Sequence, residues 1–92
     1  MKRDTVLITG SSRGIGSAIA KTLAKENYNI VINYKENETE AKKVFEEIKT
    51  YNSNVLMIQA DIRKTTEVEN MFNEIEKNFG NVDILINNAG IQ

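Results

Sequence analysis

The apolar positions along the chain change period repeatedly, and those changes mark out seven elements. Val6-Leu7-Ile8 is a short unbroken apolar run closed by Gly10, the pattern of a strand buried on both faces. From there the apolar residues fall at Ile15, Ala18, Ile19 and Leu23, which is helical spacing. Asn27 and Asn29 bracket a break, and Ile30-Val31-Ile32 reads as a second buried strand. Ala41, Val44, Phe45, Ile48 and Tyr51 form a second helical stripe, with Asn37 and Glu40 spaced as a capping box and Asn52-Ser53-Asn54 closing it. Val55-Leu56-Met57-Ile58 is a third strand. Val68, Met71, Phe72, Ile75 and Phe79 form a third stripe, opened by Thr66 with Glu69 three residues on and stopped by Gly80-Asn81. Ile84-Leu85-Ile86 is the fourth strand.

The order β-α-β-α-β-α-β with short connections predicts an α/β fold, a parallel sheet with helices on both faces. Right-handed crossovers make an open, doubly wound sheet the natural solution. Its fourth strand is then an apolar edge of the kind that proteins normally cover. The expectation is that residues 1–92 form the front part of one larger domain, truncated after the fourth strand.

Composition narrows the chemistry. Of 92 residues 40% are hydrophobic, enough for one modest core. The absence of Cys and His excludes disulfides, thiolate nucleophiles, zinc ribbons and a histidine base, so no metal site is expected. A net charge of -1 argues against general nucleic-acid binding. Residues 1–35 nevertheless carry six basic and two acidic groups, and residues 36–92 six basic and eleven acidic, which places positive charge near the N-terminus. The first apolar run is too short for a signal peptide and no stretch approaches a membrane span, so a cytoplasmic protein is expected.

The most informative segment joins the first strand to the first helix: Thr9-Gly10-Ser11-Ser12-Arg13-Gly14-Ile15-Gly16. Glycines spaced by four and two allow a tight turn and close approach of a ligand to the helix N-terminus, where free N–H groups and the dipole favour an anion such as a diphosphate. A purely structural turn is the alternative. The segment is not a P-loop, since no Lys followed by Ser or Thr closes it, and it is not Gly-x-Gly-x-x-Gly, since position 19 is Ile.

Gly10-x-x-x-Gly14-x-Gly16 preceded by Thr9, Asp61-Ile62 after the third strand and Asn87-Asn88-Ala89-Gly90 after the fourth together resemble the short-chain dehydrogenases/reductases. The resemblance covers the whole chain, aligned with about the first third of a family member, and implies a Rossmann-type domain that binds a nicotinamide dinucleotide. It implies that Gly10, Ser11, Ser12, Arg13, Gly14, Ile15 and Gly16 wrap the pyrophosphate and adenosine ribose. By the same resemblance Asp61 would accept a hydrogen bond from the adenine amino group and Ile62 would pack on the ring. Asn88, Ala89 and Gly90 would border the ribose and approach the nicotinamide side, while Asn87 would tie neighbouring strands.

At the end of the second strand, NAD-preferring members place an acid that binds the ribose 2′-hydroxyl. Here the segment is Asn33-Tyr34-Lys35. Lys35, with Arg13 approaching from the glycine loop, favours NADP, although Glu36 and Glu38 follow closely and NAD use stays open. The family's catalytic Ser and Tyr-x-x-x-Lys have no match. Four residues after Tyr28, Tyr34 and Tyr51 stand Ile32, Glu38 and Val55, and Ser11, Ser12, Ser17 and Ser53 lie too early. The resemblance therefore implies the cofactor-binding half of an NADP-dependent oxidoreductase, most like 3-oxoacyl-acyl-carrier-protein reductases or glucose dehydrogenases. Its parent would act on a small carbonyl or secondary alcohol as a homo-oligomer, with tetramers expected, and the chain alone would be inactive. A non-catalytic nucleotide-binding module and an inactive fragment are the competing readings.

Overall fold

The computed structural model describes residues 3–89. Four strands and three helices alternate: β1 (Thr5–Ile8), α1 (Gly14–Ala24), β2 (Asn29–Tyr34), α2 (Glu38–Lys49), β3 (Val55–Gln59), α3 (Thr65–Phe79) and β4 (Ile84–Ile86). All strand pairs are parallel, in the order β3-β2-β1-β4. The sheet grows from β1 through β2 to β3, and the chain then returns to add β4 on the other side of β1. The carboxyl ends of β1 and β4 therefore flank the point where the winding reverses.

Strand alternation divides the core in two. Val6, Ile8, Ile30, Ile32 and Val55 face one side, where Ala20 and Ala24 of α1 and Val44 and Ile48 of α2 cover them. Leu7 and Val31 face the other, against Met71 and Ile75 of α3. With both faces covered, the strands lose any need for polar alternation, which explains their unbroken apolar runs. The expected α/β, doubly wound arrangement is the one observed.

Several local expectations need correction. On α1 the buried line is Gly16, Ala20 and Ala24, while Ile15 and Ala18 are exposed and Ile19 and Leu23 only partly covered. Close approach of α1 to the turn after β1 sets this choice at Gly16, where a Cβ would stand 2.6 Å from the Gly10 carbonyl oxygen. Tyr51 falls beyond α2 and is exposed, as is Phe72 on α3. Neither capping box forms. Asn37 adopts a left-handed conformation (φ 61°) without a side-chain cap, and Lys64 rather than Thr66 precedes the first turn of α3. Gly80, with φ 85°, does end α3 as expected.

Candidate cofactor site

The loops after the strands are held to one another by buried polar groups, and these bonds shape the site. Thr9 follows β1, and its Oγ1 accepts hydrogen bonds from the backbone N–H groups of Asn88 (2.9 Å) and Ala89 (3.1 Å) while lying 3.2 Å from Asn87 Oδ1. The Asn88 carboxamide donates back to the Gly10 carbonyl at 3.0 Å. The turns after β1 and β4 are thus fastened across the sheet's reversal point, with the Thr9 hydroxyl also donating to Asn87 Oδ1.

Asn33, near the end of β2 and 2% exposed, fastens the turn after β1 and the turn after β3 at once. Its Oδ1 accepts from the Gly10 N–H at 3.2 Å, and its Nδ2 donates to the carbonyls of Ala60 (3.2 Å) and Ile58 (3.4 Å). Its backbone also pairs with Ser11, whose N–H donates to the Asn33 carbonyl at 2.9 Å and whose hydroxyl accepts from the Asn33 N–H at 3.1 Å. The sequence marks Asn33 only as a strand-end position lacking an acid. Nothing in its spacing reveals that the side chain turns inward; a polar residue closing an apolar strand was the one available signal.

These ties leave a cleft of about 450 Å³ over the carboxyl ends of β1, β2 and β3. Of the residues proposed from sequence, Gly10, Ser12, Arg13, Tyr34, Lys35, Asp61, Ile62 and Ala89 line it. The other proposed residues lie elsewhere. Ser11 is fully buried and its hydroxyl donates to the Ile8 carbonyl at 2.8 Å, so that side chain braces the turn. Gly14 (φ 62°) has open space where a Cβ would be, Ile15 is 68% exposed, and Gly16 fills the contact between α1 and the Gly10 turn. Asn88 is buried against Gly10, and Gly90 lies outside the described residues. The cleft also contains Glu36, which the sequence offers only as an acid close to Lys35, Asn37, which it offers only as a helix cap, and Ala60 and Arg63, which no motif singles out.

Its electrostatics favour an anion. The first turn of α1 carries no acidic residue, and Arg13 precedes it without a side-chain cap. Asp61, with a side chain 8% exposed, is tied by Arg63: Oδ1 accepts from the Arg63 backbone N–H (3.0 Å) and Nε (3.1 Å), and Oδ2 from Nη2 (3.0 Å). These bonds, more than the nearby charge of Lys35, hold the Asp61 carboxyl well below the usual carboxylate range. The Glu67 carboxylate on α3 accepts the Asp61 N–H at 2.9 Å and so sets the turn. Tyr34 is buried and its hydroxyl bonds Glu38 at 3.3 Å, which occupies that acid; burial first, then Glu38, raises the phenol's pKa.

A glycine turn is thus fastened to a second, Asn-Asn-Ala turn at the reversal point of a parallel sheet. The family model described as short chain dehydrogenase matches residues 4–92. The chain belongs to the short-chain dehydrogenase family. It is 47% identical over 87 residues to a 3-oxoacyl-acyl-carrier-protein reductase of Staphylococcus epidermidis, covering 95% of this chain and 36% of that protein. A short chain dehydrogenase of Passalora fulva is 42% identical over 85 residues, covering 92% of this chain and 32% of its own length. Among solved structures, a dehydrogenase/reductase from Sinorhizobium meliloti superposes with a TM-score of 0.88 at 36% identity, covering 97% of this chain and 35% of that one. The chain thus spans about a third of the length of the curated relatives it matches. Among the described residues no helix is long and apolar enough to cross a membrane.

Proposed function

We propose that residues 1–92 are the N-terminal, cofactor-binding part of a single NAD(P)-binding domain, in a protein that uses NADP to transfer hydride between nicotinamide and a carbonyl or secondary alcohol. The observation that carries the choice of NADP is the pairing of Arg13 with Lys35 on one cleft, at a strand end where Asn33, Tyr34 and Lys35 offer no acid. Of the two acids that follow, Glu38 is engaged by Tyr34 and Glu36 alone lines the cleft.

The residues present suit a dinucleotide. The Gly10–Gly16 turn and the first turn of α1 would receive the diphosphate, with open space at Gly14 for its approach. Asp61 and Ile62 would meet the adenine, Arg13, Tyr34 and Lys35 the 2′-phosphorylated adenosine ribose, and Asn88, Ala89 and Gly90 would border that ribose and approach the nicotinamide side. Nicotinamide, when bound, supplies or accepts the hydride. This chain's own groups bind and orient; the acid–base residues of the reaction belong, in this reading, to another part of a cytoplasmic, homo-oligomeric parent. Similarity to a reductase of 3-oxoacyl-acyl-carrier-protein favours a small carbonyl of that kind as the parent's substrate.

Titration of the chain with NADPH and NADH, following nucleotide fluorescence, tests the reading. Tighter binding of NADPH, without carbonyl reduction by the chain alone, is the expected result. Equal or tighter binding of NADH would refute the cofactor choice, and turnover would refute the division of labour.

A further inference from the structure

Two cations converge on one oxygen in the cleft. Lys35 Nζ lies 3.9 Å and Arg63 Nη2 3.0 Å from Oδ2 of Asp61. Counting all charged groups that line the cleft, Arg13, Lys35 and Arg63 face Asp61 and Glu36, which leaves a positive excess. The two partners in the closest pair differ sharply in setting. The Asp61 side chain is 8% exposed, whereas that of Arg63 is 73% exposed.

That asymmetry decides which partner can move. If the guanidinium swings away, Asp61 keeps the Arg63 backbone N–H and the charge of Lys35, so the carboxylate is never abandoned. The guanidinium has five N–H donors and spends two on Asp61. Its remaining donors and planar shape suit a phosphoryl group, which a fork binds through two oxygens at once.

We propose that Arg63 is a specificity-determining residue of this cleft, joining Lys35 to hold a phosphomonoester carried by the bound nucleotide. The inference rests on the reading above, in which that phosphomonoester is the 2′-phosphate of NADP, and adds a residue from the end of β3 to the recognition that Arg13 and Lys35 provide. It also explains the tie to Asp61: the carboxylate parks the arginine at the cleft until a stronger anion arrives, and Glu36, on the same cleft, opposes that anion.

The test compares the unaltered chain with Arg63→Gln and Arg63→Lys, measuring dissociation constants for NADPH, NADH, adenosine 2′,5′-bisphosphate and adenosine 5′-monophosphate. Because Arg63 is exposed, neither variant disturbs the core. Arg63→Gln is expected to weaken NADPH and the bisphosphate about three- to tenfold, leave NADH and the monophosphate within about twofold, and flatten the salt dependence of NADPH binding. Arg63→Lys is expected to keep most of the discrimination. An unchanged NADPH-to-NADH ratio in Arg63→Gln, with the unaltered chain still preferring NADPH, would overturn the assignment of Arg63 alone. Failure of the unaltered chain to bind either dinucleotide would overturn the reading on which it rests as well.

Discussion

At the scale of single residues, the cleft depends on side chains whose importance lies in where their hydrogen bonds go. Asn33 is the plainest case. Replacing it by Ala leaves the Gly10 N–H and the Ala60 carbonyl without the partners they have now, at about 1–3 kcal/mol for each buried group left unpaired. Chemical denaturation of Asn33→Ala should register a loss of about 2–3 kcal/mol, and a loss below about 0.5 kcal/mol would contradict the tie. Tyr34 gives a functional counterpart. In the intact protein, Tyr34→Asp should shift relative kcat/KM from NADP toward NAD, because an acid at this strand end repels a 2′-phosphate and accepts from a 2′-hydroxyl. Unchanged relative kcat/KM would remove the strand end from cofactor choice. Asp61 supplies a pH dependence. Its folded pKa lies below the ordinary value of about 3.9, so its stabilising contribution is complete above that value and fades as pH falls through it toward the folded pKa. Acid titration of stability should therefore be less steep in Asp61→Asn below about pH 4, and an identical profile would contradict the Arg63 pairing.

Elements tell how much of this was legible in the sequence. Strands were legible because both faces are covered and the apolar runs are continuous: Val6 to Ile8 and Ile30 to Ile32 lie where the pattern puts them. Helix α1 was legible as a helix but not in its orientation. Apolar spacing pointed to Ile15, Ala18, Ile19 and Leu23; Ile19 and Leu23 do pack against the core, but the closest contact takes the least bulk, at Gly16, Ala20 and Ala24. Motif residues distant in sequence, Gly10, Arg13, Lys35 and Asp61, line one cleft. Their division of labour was hidden, because side-chain direction depends on loop partners distant in sequence: Ser11 and Asn88 turn into the scaffold, and Arg63 enters the cleft without belonging to any quoted motif. Gly16→Ala tests the α1 contact. With backbone oxygen 2.6 Å from the added methyl, the helix must shift, and thermal unfolding should show a cost of about 1–3 kcal/mol. An unchanged Tm would mean that α1 sits less tightly on the Gly10 turn.

For the whole molecule, the sheet is well covered on both faces around β1 and β2 but poorly so at β4. Leu85 is 57% and Ile84 36% exposed on a strand whose outer side has no partner among the described residues. Such an edge invites pairing. Sedimentation of this chain should show association that grows with concentration and that Leu85→Lys reduces; a monomer independent of concentration would show that the edge is protected. The reversed sheet order favours a ligand position over the carboxyl ends of the strands, and the cofactor site proposed above lies there. The most direct test of that claim is to follow backbone amide resonances of the chain during titration with NADPH. The account predicts shifts concentrated at Gly10 to Gly16, Tyr34 and Lys35, and Asp61 to Arg63, saturating together. Shifts concentrated instead beside the outer edge of β3, around Gln59, Asn70 and Met71, or no shifts at millimolar NADPH, would contradict it.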